Sequence, residues 1–331
     1  MAVTKVSNII VPQVYSPYAL EKTTELWELM QGGIVERNAE FDARAAGGGA
    51  TINLPFFKEF TGDSKLLDEN VPATPQPIGT NQDTAALMNR FEAWGDNVLS
   101  QWLSGEDPLA QIALMEGGYW ARAFQRILLK ILTGLFDNAA GVLRISHRLN
   151  LYNDVVQGSI TDAMRLLATT FADGTQLLGD NSQALEVVAM HSEVETSLRK
   201  RELVQDFQPS GLTKRIPIFN GRLVVVDDSC PKVAGVNSPA FTTFVFGRGA
   251  FAMGIDTTDP EDMHETDRVA LAHESHLVSR RRFILHPRGV RWIGTPASTS
   301  GPSDAELATA TNWTKVYLDK NIRIIAIRHN I

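Results

Sequence analysis

The sequence predicts an α+β fold organised around one unusually long helix. An amphipathic pattern runs over residues 107–137, and it begins with Asp107 as an N-cap and Pro108 at the first helical position. Two stretches of strand character surround a polar, proline-containing segment within residues 47–94. A mixed α/β pattern over residues 150–260 precedes long strands. These observations predict a body of helices and sheets that carries an extended two-stranded excursion.

The long helix is predicted by apolar residues that recur at intervals of three and four along one face. The members of this stripe are Leu109, Ile112, Ala113, Tyr119, Trp120, Ala123, Phe124, Ile127, Leu128, Ile131, Leu132 and Leu135. The opposite face is marked by Arg122, Gln125, Arg126 and Lys130. Such a helix would span roughly 45 Å, which suits a strut across a flat domain. No pair of metal ligands or titratable groups is expected on its inner face, so we interpret it as structural.

Composition limits the class of protein. The chain has 331 residues, of which 44% are apolar, so a substantial core and about two domains are expected. The formal net charge of −7 excludes the strongly basic footprint of many nucleic-acid-binding proteins. Cys230 is the single cysteine, so no internal disulfide can form and a reducing compartment is expected. Neither a membrane-spanning run nor a signal peptide is recognisable, so we expect a soluble protein made in the cytoplasm.

Residues 1–46 are predicted to form an arm. Pro12 and Pro17 restrict the residues before them to extended backbone, and a short helix over residues 19–30 follows. The arm has little reason to fold alone, so we expect it to lie on another body or another subunit. The glycines at 47–49 are interpreted as a hinge, because no nucleotide-binding pattern surrounds them and no P-loop lysine follows.

Residues 47–94 are predicted to form a long hairpin. The stretch TINLPFFKEF has strand character, and DTAALMNRFEAW returns as a second strand. Pro72, Pro75 and Pro77 argue against a central strand in the segment that connects these two stretches. Two strands bury too little surface to be stable alone, so the hairpin needs a neighbour on which to lie. This requirement indicates an assembly protein rather than a self-contained enzyme.

The remaining elements form a mixed α/β region followed by long strands. They are a short helix at 96–103, a helix at 160–173, a buried strand at 184–190, a helix from the Ser192–Glu195 capping box to about 204, a hairpin that turns at Asn220–Gly221, a strand at 241–247, long strands from 265 to 294, a surface loop at 295–311 and a closing strand at 321–330.

Residues that could carry chemistry are few and isolated. His273 and His276 lie on either side of Glu274, but their spacing is one residue short of a zincin motif. Strand residues three apart also face opposite sides of a sheet, so no metal site is expected there. Asp227–Asp228 follows an apolar strand, where catalytic carboxylates often lie. No base, nucleophile or phosphate loop accompanies this pair, and a strand-ending turn is the better interpretation.

Three further features are interpreted without a catalytic role. Cys230 has no motif around it and is taken as a structural thiol, and His286 resembles part of a turn. The densest basic run is Arg280–Arg282, and consecutive strand residues cannot share one face. We therefore expect these arginines to pair with a neighbouring subunit or with solvent rather than to form a phosphate track. No catalytic, cofactor-binding or metal-binding residue is predicted in the chain, and no cofactor.

Four stretches, taken in order, carry a resemblance to a known family. They are an arm of the form VYSPYALEKTTELWELMQGGIVERN, then INLPFFKEFTGDSKLLDE, SGEDPLAQIALMEGGYWARAFQR and RRRFILHPRGVRW. In these stretches and their order, which cover most of the chain, the sequence resembles the major capsid proteins of tailed double-stranded DNA bacteriophages.

The resemblance implies the shell-forming fold that tailed phages share with herpesvirus capsid floors. In that fold the arm reaches over a neighbour, an extended loop lies across the adjacent subunit, and an axial α/β domain points toward the five-fold or six-fold centre. The expected divisions are an N-terminal arm at 1–46, an extended loop at 47–94, a peripheral domain at 95–149 and 261–300 with its spine helix at 107–137, an axial domain at 150–260, and a C-terminal segment at 301–331 that closes the core.

The resemblance also implies a function in assembly rather than catalysis. The chain would build the hexamers and pentamers of an icosahedral shell around packaged double-stranded DNA, in a virion assembled in the host cytoplasm. Expected partners are further copies of the chain, scaffolding and portal proteins and a candidate decoration protein, with non-specific proximity to DNA and no membrane. Some relatives crosslink subunits through lysine and asparagine. Lys58 and Lys65 lie in the loop without a distinctive acceptor context, so no crosslink is expected.

Two alternatives stand beside this hypothesis. One is a nanocompartment shell of the encapsulin type that encloses a cargo enzyme, against which the proline-bearing hairpin and the phage-like arm argue. The other is a cytoplasmic α/β enzyme that would use Asp227 or Asp228.

Overall fold

The computed structural model describes residues 32–60, 62–64, 75–97, 108–208, 216–258, 263–269 and 273–331. The helix predicted at 19–30 lies outside these ranges, as does most of the helix predicted at 96–103. Asp96 and Asn97, the first residues of that second prediction, end a strand, so the helix was wrong for them.

The helices and strands of the described residues alternate along the chain. The α-helices are α1 (Ala39–Ala46), α2 (Pro108–Leu135), α3 (Ala168–Thr175), α4 (Ser192–Lys200) and α5 (Asp304–Leu307). The strands are β1 (Val35–Arg37), β2 (Thr51–Phe57), β3 (Thr80–Asn97), β4 (Arg148–Asn150), β5 (Leu185–Met190), β6 (Val204–Phe207), β7 (Ile216–Phe219), β8 (Arg222–Val226), β9 (Lys232–Val233), β10 (Ala240–Gly247), β11 (Phe251–Ile255), β12 (His264–Val269), β13 (Glu274–Pro287), β14 (Val290–Trp292), β15 (Trp313–Lys315) and β16 (Ile324–His329).

One sheet is centred on the long strand β13. Its strands lie in the order β1-β11-β13-β3-β2, and β12 also pairs with β13. On one side β13 pairs with β3 from Glu274 to Ile284. On the other side it pairs first with β12 and then with β11. The long strands predicted from residue 265 onward are therefore confirmed, and they form the middle of this sheet.

The second sheet takes all its strands from between residues 148 and 329. Its strands lie in the order β4-β16-β10-β5-β8-β7-β6, with β9 paired to β10. The predicted hairpin is confirmed, because Asn220 and Gly221 connect β7 to β8 with φ of 47° and 77°. Both residues therefore have the left-handed conformation that a tight two-residue turn requires. The closing strand is also confirmed as β16, which is buried and pairs with β10 and β4.

Helix α2 joins the two sheets in one hydrophobic cluster. Its aromatic side chains mark the contacts: the Phe124 ring lies 4.7 Å from that of Phe283 in β13. Past the C-terminus of α2, the Phe136 ring lies 5.9 Å from that of Phe244 in β10. Leu128, at the middle of α2, has no exposed surface. The predicted strut is thus confirmed, with bounds of Pro108 and Leu135.

Two smaller clusters cover the outer faces of the sheets. Helix α1 packs through Phe41 and Ala45 on the face of the first sheet that points away from α2. Helices α3 and α4 cover the second sheet, where Phe171 and Leu198 are buried in the same cluster as Val245 of β10. Each sheet is therefore covered on both faces over part of its area, which accounts for its runs of consecutive apolar residues.

Three local predictions differ from the structure. The helix predicted at 160–173 is α3, which begins only at Ala168. Helix α4 begins at Ser192 as predicted, but its N-cap is His191, whose Nδ1 accepts the N–H of Glu193, and it ends at Lys200. The predicted surface loop at 295–311 contains α5, which begins with a capping box and carries the buried Leu307. The carbonyl oxygen of Leu307 lies against Gly134 of α2, where a β-carbon would come within 2.5 Å of it.

Among the described residues, no helix combines the length and the apolar character that a membrane crossing requires.

Replacement of Leu128 by aspartate tests the role of α2. An unpaired carboxylate at this fully buried position should lower the free energy of unfolding by about 4 kcal/mol or more, which rivals the stability of a domain. We expect no soluble, assembling subunit from Leu128→Asp, measured by soluble yield and thermal unfolding. The matched control is Lys130→Asp on the exposed face of the same helix, which should fold. Particles formed by Leu128→Asp would contradict the assignment of α2 as the central strut.

Candidate assembly surfaces

The hairpin of β2 and β3 extends beyond the first sheet. Strand β2 pairs with Thr80–Ala86 of β3, and the rest of β3 pairs with β13. One continuous strand of 18 residues therefore belongs first to the hairpin and then to the sheet. The seven paired residues of β2 give this ribbon a length of about 23 Å. The predicted two-stranded excursion is confirmed for the described part of the segment.

Large apolar side chains are exposed at the far end of the hairpin. Phe57 and Phe60 expose 74% and 70% of their surface, and Ile78 exposes 56%. A cluster of exposed aromatic and aliphatic side chains is typical of a surface that another protein covers. Because a two-stranded ribbon is marginal alone, these exposed residues make the far end of the hairpin a candidate assembly surface.

A buried carboxylate at the middle of the paired ribbon ties the hairpin to the body. Asp83 of β3 is 2% exposed, and its Oδ2 accepts a hydrogen bond from His286 Nε2 at 2.9 Å. The same oxygen accepts the backbone N–H of Gly289 at 3.2 Å. A second contact joins Phe56 to Tyr317, whose rings lie edge to face at 4.9 Å. The direction in which the hairpin leaves the body is thus set by specific contacts.

A groove of about 780 Å³ lies between the hairpin and the body. Phe56, Phe57 and Lys58 of the hairpin line one side, and Tyr317 and Leu318 line the other. Lys58 therefore faces a groove that is part apolar and part charged, while Lys65 lies outside the described residues.

Arg280–Arg282 were predicted to pair with solvent or with a neighbouring subunit. For Arg281 that prediction is wrong. Arg281 is 1% exposed, and its Nη2 donates to Oε1 of Glu116 in α2 at 2.9 Å. Glu116 also accepts a hydrogen bond from the hydroxyl of Ser279, whose Oγ accepts the indole N–H of Trp120 at 2.9 Å. His264 completes the group, with its Nδ1 3.7 Å from Glu116 Oε1. Burial lowers the pKa of His264 to about 4, so it is neutral at pH 7.

The outer members of the run also pair within the chain. Arg280 Nη2 lies 2.7 Å from Glu265 of β12, and both side chains are about half exposed. Arg282 lies 3.7 Å from Asp256. The alternation along β13 is as predicted, because Arg281 points toward α2 and its two neighbours point away.

The other candidate residues have structural surroundings. Asp227 follows β8 and accepts the N–H of Ser229 at 2.8 Å, which confirms the strand-ending turn. Cys230 is buried, and burial raises the pKa of its thiol, so the structural interpretation is supported. His286 was interpreted as part of a turn, but it lies within β13 and bonds to Asp83.

His273 and His276 were weighed as metal ligands because they flank Glu274. His273 precedes β13 with a φ of 57°, while His276 lies in the strand, 3.5 Å from Glu274. No group of three or more potential metal ligands occurs within the part of the chain that the structure describes.

Sequence reasoning missed Glu116 and Asp83. Glu116 lies on the inner face of α2, where no pair of titratable groups was expected, and Asp83 stood inside a stretch interpreted only as a strand. The available signal was a single charged residue at a position that periodicity assigns to a buried face. Such a residue needs a buried partner, and here the partners are Arg281 and His286.

The fold is that of shell-forming capsid subunits. The structure is similar to the capsid of Ralstonia phage GP4, with a TM-score of 0.59 and 11% identity over 91% of this chain and 90% of that one. It is also similar to the capsid asymmetric unit of cyanophage Pam1, with a TM-score of 0.57 and 10% identity over 90% of this chain and 88% of that one. At such low identity these structures establish the fold alone.

The sequence establishes the family. Residues 134–322 match the family model described as Gp13-like, major capsid protein 13-like. The chain is also 36% identical to the major capsid protein of Bacillus phage SPP1, over 100% of this chain and 99% of that protein. The chain therefore belongs to the major capsid protein family of tailed bacteriophages. It is a structural coat protein of the virion capsid rather than an enzyme, and it associates with copies of itself in a shell.

The buried ion pair yields a first prediction for this region. Arg281→Met should lower the free energy of unfolding by about 3–5 kcal/mol, because it leaves the Glu116 carboxylate buried without its cation. Adding Glu116→Leu should recover most of this loss, since both charges are then replaced by apolar groups of similar size. Urea unfolding of the wild type, the two single variants and the double variant measures the interaction free energy between Arg281 and Glu116. Additive losses in the double variant would contradict a direct pair.

The anchor of the hairpin yields a second prediction. Asp83→Ala leaves the His286 and Gly289 donors buried without an acceptor, which should cost about 1–3 kcal/mol of local stability. Hydrogen exchange should therefore quicken in β2 and in Thr80–Ala86 while α2 stays protected. The control is Glu59→Ala, which removes an exposed carboxylate from the same hairpin. Equal protection of the hairpin in wild type and Asp83→Ala would disprove the anchoring role.

Proposed function

We propose that the chain builds hexamers and pentamers of an icosahedral shell that encloses packaged double-stranded DNA. The observation that carries this proposal is the anchored hairpin with exposed Phe57 and Phe60 at its far end. Burial of these apolar side chains between subunits supplies the driving force of assembly, and exposed charges set the register of neighbouring copies. Closed symmetry then multiplies modest pairwise contacts into a stable shell.

The parts of the chain take separate roles in this proposal. Residues 35–46 of the arm pack on the first sheet of their own subunit, so the preceding part of the arm and the hairpin reach neighbouring subunits. The peripheral domain with α2 forms the rigid body of the capsomer. The axial domain lies at the capsomer centre. The proposed divisions are 1–46 for the arm, 47–94 for the extended loop, 95–149 and 261–300 for the peripheral domain, 150–260 for the axial domain and 301–331 for the closing segment.

The proposed partners follow from shell formation. Scaffolding and portal proteins act with the chain during assembly in the host cytoplasm, and a decoration protein is a further candidate. Contact with DNA is independent of its sequence. Assembly requires no catalytic residue, cofactor, metal or covalent crosslink.

Electron microscopy and sedimentation of the purified full-length chain test the proposal. Closed shells, five- or six-membered rings, or tubes are the expected products, alone or with the co-expressed scaffolding protein. A subunit that stays a monomer or dimer with its scaffold present would refute shell assembly.

Deletion of residues 64–77 tests the role of the loop. The loop adds little to the core of the subunit, so the shortened chain should fold as the full chain does by circular dichroism and thermal unfolding. It should nevertheless fail to build closed shells in electron micrographs. The double variant Phe57→Ser, Phe60→Ser should likewise fold but fail to build closed shells. The matched double variant Phe57→Leu, Phe60→Leu keeps the apolar surface and should assemble. Normal shells from the deletion variant would rule out a bridging role.

A further inference from the structure

The exposed face of α2 carries a line of positive charge. Arg122, Arg126 and Lys130 are all exposed and lie four residues apart. Successive members are separated by about 6 Å along the helix axis. The sequence from Gly117 to Phe136 contains no aspartate or glutamate, so no acidic residue of this stretch can pair with them at helical spacing.

A second basic group lies just past the end of the helix. Arg144 donates to the carbonyl oxygen of Asn138 at 3.0 Å. Arg148 and Arg328 both donate to Oδ1 of the same asparagine, at 2.8 and 3.3 Å. Three guanidinium groups from different positions in the chain thus converge on one neutral residue, two on its side chain and one on its backbone carbonyl. Arg328 is further held by the ring of Tyr152, whose centroid lies 4.7 Å away.

This group of arginines has Asp137 as an acidic neighbour but forms no direct ion pair among the described residues. Within the described ranges, no carboxylate lies within 4.0 Å of Arg144, Arg148 or Arg328, and the same holds for the line on α2. Asp137 is nearby, but its Oδ1 is occupied by the N–H groups of Ala139 and Ala140. Burial lowers the pKa of Arg148, the positive charges of Arg328 and Arg144 lower it further, and the negative charge of Asp137 offsets only part of this effect. A like-charged group is expensive unless an anion compensates it.

The surface between these charges lacks the apolar centre that is typical of a protein interface. Interface centres are usually apolar and poor in charge, yet no large exposed hydrophobic side chain occurs between Met115 and Ile145. The charges of α2 instead extend along about 12 Å from Arg122 to Lys130, and the arginine group at Asn138 lies just past the end of the helix at Leu135. A linear array of cations at short intervals complements a polyphosphate backbone, and guanidinium groups bind phosphate oxygens in pairs of hydrogen bonds.

We infer that the basic face formed by Arg122, Arg126, Lys130, Arg144, Arg148 and Arg328 binds the phosphate backbone of double-stranded DNA. The inference rests on the proposed enclosure of DNA, for which it names the contact surface. Because the whole chain has a net charge of −7, the remainder of the surface repels DNA. The contact is therefore confined to this face, independent of base sequence and sensitive to salt.

The test measures binding of a short fluorescent DNA duplex to the unassembled full-length chain across a salt series, by fluorescence anisotropy. The slope of log affinity against log salt counts the phosphates that the protein neutralises. Replacement of Arg122, Arg126 and Lys130 by glutamine should reduce the magnitude of this slope by about 1 for each cation and weaken binding about tenfold or more at low salt. Arg144→Gln with Arg328→Gln should act in the same way.

The control removes the same charge elsewhere. Lys200→Gln, Arg248→Gln and Arg268→Gln together remove three exposed cations from other elements, and the salt slope should stay at the wild-type value. An equal reduction in this control would mean that net charge alone governs binding, and would overturn the inference. Wild-type chain that does not bind the duplex at low salt would also overturn it.

Assembly is scored on every variant, so that the two proposals fail separately. The α2 variant is the one in which Arg122, Arg126 and Lys130 are replaced by glutamine. The inference is supported if wild type and this variant both form shells and the variant binds DNA more weakly. An α2 variant that binds DNA like wild type but no longer assembles would show that this face contacts another copy, and would overturn the inference while leaving shell formation intact. Absence of shells from all chains would refute the proposed function instead.

Discussion

The structure depends on one helix that is buried against two sheets at once. The apolar stripe of α2 contacts β13 through Phe124 and leads into the contact of Phe136 with β10. Neither sheet could cover its inner face without this helix, and the helix could not bury its stripe on either sheet alone. The Arg281–Glu116 pair sits inside the contact with β13. Removing two charges from water is costly, so the pair selects one register of helix on strand more than it adds stability.

Much of the fold could be predicted because its signals are local. The period of apolar residues predicted α2 to within two residues at each end, and the Asn220–Gly221 dipeptide predicted its hairpin. The buried pair could not be predicted, because Arg281 and Glu116 are 165 residues apart, and Arg281 stands in the sequence as one of three consecutive arginines. The helix α5 was missed for a different reason. Its capping box at Ser303 is a local signal, but the small polar residues around it are typical of a loop.

The existence of the hairpin could be predicted from the sequence, but the residue contacts that form the candidate surfaces could not. Prolines and strand-like stretches at 47–94 indicated a hairpin that needs a partner. The contact of Asp83 with His286 spans 203 residues, so the sequence shows a charged side chain at a buried strand position but not the partner that it needs. The arginine group around Asn138 could not be predicted either, because Arg328 reaches the end of α2 only when β16 pairs with β4.

The continuity of β3 has a mechanical consequence. A hairpin attached through a flexible joint could be pulled aside without disturbing the body, but β3 passes into the sheet as one hydrogen-bonded strand of 18 residues. A force on the far end of the hairpin is therefore transmitted as bending of that strand to its partner β13, and from there to α2. In the proposed shell, where the hairpin contacts a neighbour, differences in curvature would be absorbed by elastic twist of the sheet.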